Sequence, residues 1–266
     1  MKKMTTLLAA LLFTLSLQAR VVVVSDIDDT LKTANSVGKI GKLYHFLRKQ
    51  IYPHSRDLFV ELSHYYRSMS EAVDFYYVSA APDAIFAQEK WLDKNGFPAG
   101  PTFLRHLGDP KAYDFKYKTI EKFLKKYQDD GEVITVYFFG DNADQDHNVY
   151  HDLTQNLKLD SHIFIRDVRA EASGFEGIPM RRVENIEYFF SERELSDSPT
   201  LAFLSPVWEA SVQLDYVKQD LIPNYTFATL KRTYRNIEGC KIYSFSCRAD
   251  AKERAQMAWE DYYARY

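Results

Sequence analysis

Immediately after residue 19 the chain reads Val21, Val22, Val23, Val24, Ser25, four β-branched residues with no polar position between them. A strand buried on both faces has this pattern, since neither face meets water. Further on, Leu58, Leu62 and Tyr65 within LFVELSHYY predict a helix, VDFYYVS (73–79) a strand, and 85–95 a helix stopped by Gly96 and Pro98. Ile120, Phe123, Leu124 and Tyr127 recur at helical spacing within 118–127, while VITVYFFG (133–140) and SHIFIRDV (161–168) repeat the buried-strand pattern. The rhythm changes after Ser191. Ala210, Leu214, Val217 and Leu221 form one helical stripe, and Ala251, Ala255, Trp259, Tyr262 and Tyr266 another.

Strands alternating with helices predict an α/β fold, Rossmann-like, with a mostly parallel sheet covered on both faces. Ligands of such sheets bind at the carboxyl ends of the strands. This reading gives a domain at 20–190 and a C-terminal helical extension at 191–266. The segment 1–19 is set apart: Lys2 and Lys3 precede the apolar run LLAALLFTLSL, and Ala19 ends a cleavage site. It reads as a signal peptide, so the mature chain is expected to be exported, to the periplasm, without a transmembrane span; about 20 apolar residues would be needed to cross a bilayer.

Composition narrows the picture only slightly. Apolar residues make up 46% and charged residues 27%, as in ordinary globular proteins. The net charge of −3 becomes −5 once Lys2 and Lys3 are removed, which argues against a general nucleic-acid binder. Two cysteines remain, Cys240 and Cys247, and export would allow them to pair. A straight strand would hold them roughly 23 Å apart, so a bridge requires a bend.

The candidate chemistry sits where the first strand ends, in SDIDDTLK. Asp26, Asp28 and Asp29 crowd one strand end, at a desolvation cost that a hard divalent cation would offset. In extended chain Asp26 and Asp28 share a side, so one can attack while the other handles protons. YFFGDNADQD places Asp141, Asp144 and Asp146 at a second strand end, and magnesium suits Asp26 and Asp141 flanking one ion. Ser79 after a strand and Lys118 on a helix can hold phosphate oxygens. His147 and His151 have the spacing of a zinc pair but lack a glutamate between them, and they read as a helix-surface pair.

Taken in order, SDIDDTLK, YYVSAAP, FPAGPTFLRHLG, YKTIEKFL, FFGDNADQD and IFIRDV resemble the haloacid dehalogenase superfamily, and more narrowly the phosphatidate phosphatase catalytic domain of the actin-patch type, over about residues 21–170. The resemblance implies a sheet of haloacid dehalogenase type and a Mg2+-dependent phosphomonoesterase. Asp26 would be the nucleophile forming an aspartyl-phosphate and Asp28 the general acid/base. Thr30, Ser79 and Lys118 would serve the phosphoryl group, with Lys116 a close rival for Lys118. Asp26, Asp28 through its carbonyl, Asp141 and Asp146 would make the metal site. Ala81, Asp83, Ala143 and His147 depart from the family pattern and alter the pocket wall. The segments between motifs are short, so a small cap or none is expected.

The expected substrate is a phosphate monoester, with lipid phosphate at a membrane surface favoured. Residues 30–56 carry Lys32, Lys39, Lys42, Arg48, Lys49 and Arg56 and no acid, and Ile40, Leu43, Tyr44, Leu47 and Ile51 recur at helical spacing. A basic amphipathic helix of this kind can lie on anionic lipid. A phosphatase of soluble esters and a non-catalytic module for anionic ligands are the alternatives; intact Asp26 and Asp28 speak against the second.

Overall fold

The structure, a computed structural model, describes residues 20–34, 50–52, 54–82, 87–169, 182–219, 230–232, 234–235, 238–241 and 243–264. Six parallel strands form one sheet: β1 (Arg20–Ser25), β2 (Ala72–Pro82), β3 (Thr102–Arg105), β4 (Ile134–Asp141), β5 (Asp160–Arg166) and β6 (Ile186–Phe189). Their spatial order is β3-β2-β1-β4-β5-β6. The helices are α1 (Ser55–Ser68), α2 (Gln88–Lys94), α3 (Ala112–Asp129), α4 (Asp146–Leu157), α5 (Glu192–Ser196), α6 (Pro206–Gln219) and α7 (Phe245–Ala264). This is the α/β architecture that the alternation predicts.

The valine run becomes the middle strand because both of its faces are covered. Val21 and Val23 join Phe75, Tyr77, Tyr137, Phe139 and Phe164 on one side of the sheet, against Leu58, Phe59 and Leu62 of α1. Val22 and Val24 join Val136, Phe138 and Ile163 on the other, against Ile120 and Leu124 of α3 and Val149 and Leu153 of α4. The two-residue period of the strand sorts the side chains between these cores. β3 and β6 have no counterpart in the pattern reading: each is four residues long, lies at a sheet edge and is only partly buried, so neither has the long apolar run that marks a central strand.

The helical extension is not a detached appendage. Leu195, Leu201, Leu204, Trp208 and Val212 belong to the same core as α1 and β1, so its first part closes one face of the sheet. Its second part has a separate cluster, in which Ala251, Ala255 and Trp259 of α7 pack with Phe190, Leu230 and Tyr234. Cys240 and Cys247 are bridged with Cα atoms 5.6 Å apart. The required bend lies between the cysteines, where the Ser244 N–H donates to the Lys241 carbonyl at 3.0 Å and α7 starts at Phe245.

Several expectations fall outside the described residues: the signal segment 1–19, most of the basic stripe (Lys39, Ile40, Lys42, Leu43, Tyr44, Leu47, Arg48 and Lys49), Asp83, Leu221 and Tyr266. Among the described residues no helix is long and apolar enough to cross a membrane.

Candidate active site

The chain leaves β1 toward β2 and β3 on one side, and β4, β5 and β6 extend the sheet on the other. The crevice at the carboxyl ends of β1 and β4 is therefore the topological switch point, where open α/β sheets take their ligands. Asp26 is the first residue beyond β1, fixed by its N–H, which donates to the Phe139 carbonyl at 2.9 Å. Asp141 is the last residue of β4. Asp146 opens α4 and comes alongside because residue 140 is glycine: a Cβ there would lie 2.7 Å from both the Asp146 Cβ and the Tyr150 ring. Carboxylate oxygens of Asp26, Asp141 and Asp146 all lie within 4.8 Å of one another, and all three residues are buried.

Among the described residues one cation compensates this trio directly. Lys116 Nζ donates to Asp26 Oδ1 at 2.8 Å and to Asp146 Oδ1. Thr30 Oγ1 donates to Asp141 Oδ2 at 3.3 Å and reaches Asp26 Oδ2 at 3.5 Å. Three carboxylates against one ammonium leave excess negative charge in a poorly solvated place. Desolvation pushes the Asp26 carboxyl up to about 8, with Lys116 opposing and Asp146 and Asp28 adding to the rise. Burial, then Asp146 and Asp26, raise Asp141 well above the usual carboxylate range. Burial works against the Lys116 ammonium, but Asp146 and Asp26 overcome it and hold its pKa well above the usual lysine value.

Asp28 has a different set of neighbours. Its Oδ2 accepts from Ser79 Oγ at 3.1 Å and from Gln88 Nε2 at 2.7 Å, and its Oδ1 pairs with the buried ammonium of Lys32. The intervening loop is tightly tied. Asp29 adopts φ +63°, its N–H donates to the Lys32 carbonyl at 2.7 Å, and its Oδ1 accepts from the Ala34 N–H at 3.1 Å. Arg166, at the end of β5, fixes the loop from behind: Nε donates to the Thr30 carbonyl at 3.1 Å and Nη1 to the Phe190 carbonyl at 3.0 Å, Nη2 pairs with Glu192, and the guanidinium lies 3.8 Å from the Tyr52 ring centroid.

The structure thus brings together Asp26, Asp28, Thr30, Ser79, Asp141 and Asp146. It does not bring in Lys118, which is exposed, while Lys116 is buried against Asp26. Two residues along a helix turn roughly 200°, so α3 can point only one of these lysines at the sheet. Lys116 shares its face with the buried Ile120 and Leu124 at steps of four, a register that the sequence already contained. The Asp28 carboxylate lies outside the cluster of Asp26, Asp141 and Asp146; the metal role expected of Asp28 rests on its carbonyl instead. Asp144 is exposed, and among the described residues neither His147 nor His151 belongs to a cluster of possible metal ligands. Lys32 reads in the sequence as one of six basic surface charges but is 1% exposed. Gln88 and Arg166 carried no role in the sequence reading; Arg166 stood inside the quoted IFIRDV, and Gln88 in no motif at all.

Buried carboxylates from two adjacent strand ends at a switch point, with a lysine between them and a second, separately held aspartate two residues on, mark this chain as one of the α/β folds with a charged site where such sheets take their ligands. A family model settles which one. The phosphatidate phosphatase APP1 catalytic domain matches residues 21–167, and the chain belongs to that family. It is a phosphatidate phosphatase-like phosphatase, a hydrolase whose family substrate is a phosphate-ester lipid. No curated protein matches the chain.

Proposed function

We propose that the chain hydrolyses phosphatidate-like lipid phosphomonoesters through a covalent phosphate on Asp26, with magnesium as cofactor. The observation that carries the reading is the division of two carboxylates two residues apart into two environments, Asp26 with Lys116, Asp141 and Asp146, and Asp28 with Lys32, Ser79 and Gln88. A pair of acids held apart in this way can take different roles.

In this mechanism an Asp26 carboxylate oxygen attacks phosphorus and the ester P–O bond breaks. The departing alkoxide takes a proton from the Asp28 carboxyl. Asp28, now a carboxylate, removes a proton from water as that water attacks the phosphorus of the aspartyl-phosphate. Inorganic phosphate leaves and Asp26 is restored. Lys116 offsets the charge of Asp26 throughout, and Thr30 and Ser79 stand at hydrogen-bonding distance from the two acids, within reach of a phosphoryl group between them.

The donor set of Asp26, Asp141 and Asp146 fits a hard cation, being carboxylate oxygen only and too negative for Lys116 to balance alone. Those three residues would hold magnesium, whose charge would favour ionised Asp26 and draw phosphoryl oxygens toward it. The bridge between Cys240 and Cys247 supports the further reading that the chain works in an oxidising, exported setting, the periplasm. Phosphate release from phosphatidate and from soluble phosphomonoesters, with magnesium or with EDTA, tests the proposal. Release that needs magnesium, together with acid-stable, hydroxylamine-labile phosphate on wild type and none on Asp26→Asn, is expected; full activity in EDTA or in Asp26→Asn overturns it.

A further inference from the structure

Among the described residues Leu107 is 90% exposed, the most exposed of the large apolar side chains. It stands at the tip of an ordered turn rather than in a loose loop. The Asp109 N–H donates to the His106 carbonyl at 3.2 Å, the His106 N–H donates to Asp109 Oδ2 at 2.6 Å, and Gly108 takes φ +102°, a conformation that favours glycine after the turn's first central residue. The turn's bonds therefore hold a leucine out in water, where its exposure contributes nothing to the fold.

The position of the turn gives that exposure a direction. β3 pairs in parallel with β2, Leu104 opposite Ser79 and Arg105 opposite Pro82, so residues 106–109 leave the sheet at the edge where Asp26 and Asp141 sit. β3 is two strands from β1, about 10 Å across the sheet. Met69 and Val133, also exposed, precede β2 and β4 and lie at the opposite edge. Arg105, His106 and Lys111 flank the leucine, and the one acid among them, Asp109, spends an oxygen on the turn itself. An apolar tip ringed by basic side chains suits the surface of an anionic bilayer, apolar below and negative above.

We infer that the turn at residues 106–109 docks the protein on an anionic phospholipid bilayer, Leu107 entering the acyl boundary and Arg105 and Lys111 meeting phosphate headgroups, so that the site opens toward substrate held in the membrane. The inference rests on the lipid phosphatase reading and specifies how the site reaches its substrate. Its test uses the whole protein, vesicles of phosphatidate in phosphatidylcholine, and p-nitrophenyl phosphate as a soluble ester.

Leu107→Ser should weaken vesicle binding about tenfold, the scale of leaving one leucine out of an apolar phase, and lower the rate on vesicle phosphatidate in proportion while leaving p-nitrophenyl phosphate hydrolysis unchanged. Leu107→Trp provides a readout independent of catalysis. The native tryptophans, Trp91, Trp208 and Trp259, are all buried, so a blue shift on adding vesicles that appears in the variant and not in wild type reports entry of the tip into lipid. Unchanged vesicle binding by Leu107→Ser with no shift in Leu107→Trp overturns the inference, and so does an equal loss on both esters. Absence of hydrolysis of either ester by wild type would strike the phosphatase reading instead, while the tryptophan signal still decides whether the turn docks.

Discussion

The two ends of β1 carry charge clusters of opposite character. At the amino end Arg20 pairs with Asp74 and Glu132, whose side chains are 35% and 32% exposed, and Tyr127 donates its hydroxyl to Asp74 at 2.8 Å. At the carboxyl end Lys116 pairs with Asp26 and Asp146, whose side chains are 4% and 2% exposed, and Asp141 stands beside them. Water screens the first cluster, so it costs the fold little and contributes little. The second cluster has almost no water to screen it, and a fold selected only for stability would replace it with apolar side chains. The difference separates a charge that decorates a strand end from one whose retention stability alone does not explain.

The sharpest way to break this comparison is Asp26→Asn. On the proposed mechanism activity on phosphatidate should fall to background, because the change removes the proposed nucleophile at nearly constant shape, while Arg20→Gln at the other end should leave it intact. Metal-free Asp26→Asn should also melt no lower than wild type, since it relieves carboxylate crowding. Phosphate release and thermal unfolding in EDTA check both. Turnover near that of wild type would show that Asp26 does not attack.

Lys116→Met comes next in size. Removing one member of a buried charge cluster leaves the others uncompensated, at a typical cost of about 3–5 kcal/mol. Urea unfolding measures it, and a loss below about 1 kcal/mol would mean that water reaches the cluster after all. Lys118→Met on the same helix should stay within about 0.5 kcal/mol and keep full activity, as expected of an exposed residue away from the site.

The pair of lysines also shows where a sequence stops being legible. β1 and β4 could be read directly, because strands buried on both faces carry long apolar runs, and with them came Asp26 and Asp141 at their ends; β5 has only the shorter buried run Ile163, Phe164 and Ile165. β3 and β6 were missed because an edge strand of four residues, half wet, has no run to read. Lys116 and Lys118 both lie in DFKYK, and only the helical register with Ile120 and Leu124 separates them. Lys32 has the composition of a surface charge, and nothing local shows that the loop folds back to lay it against Asp28. Gln88 and Arg166 reach the loop from elements distant in the chain, so their roles depend on tertiary geometry that no motif records.

A pH series sharpens the comparison at a smaller scale. The Asp26 carboxyl titrates at about 8 in the folded protein against about 4 in the unfolded chain. Between these values the folded state keeps a proton that the unfolded state has released. In EDTA, stability should therefore be greatest near the acidic end of that window and decline as pH rises from about 4 to about 8. Asp141, raised in the same direction, adds to the decline. On the proposal that these carboxylates hold magnesium, for which they must be ionised, the melting-temperature gain on adding it should grow over the same range. A flat profile in EDTA would show Asp26 already ionised against Lys116.

The smallest expected effect belongs to Arg20→Gln. Asp74, through its hydrogen bond and its charge, and Glu132 after it raise the Arg20 pKa, so the attraction is real, but the partners are about one-third exposed and water and salt share in screening them. The substitution should cost at most about 1 kcal/mol. The cost should shrink as sodium chloride is raised, since at 1 M salt the screening length falls to about 3 Å, while the Lys116→Met penalty persists because salt does not enter a buried cluster. Urea unfolding of both variants at low and high salt makes the measurement. Similar salt sensitivity at the two ends would mean that solvent reaches both clusters alike, and the retention of the carboxyl-end cluster would then need no chemical reason.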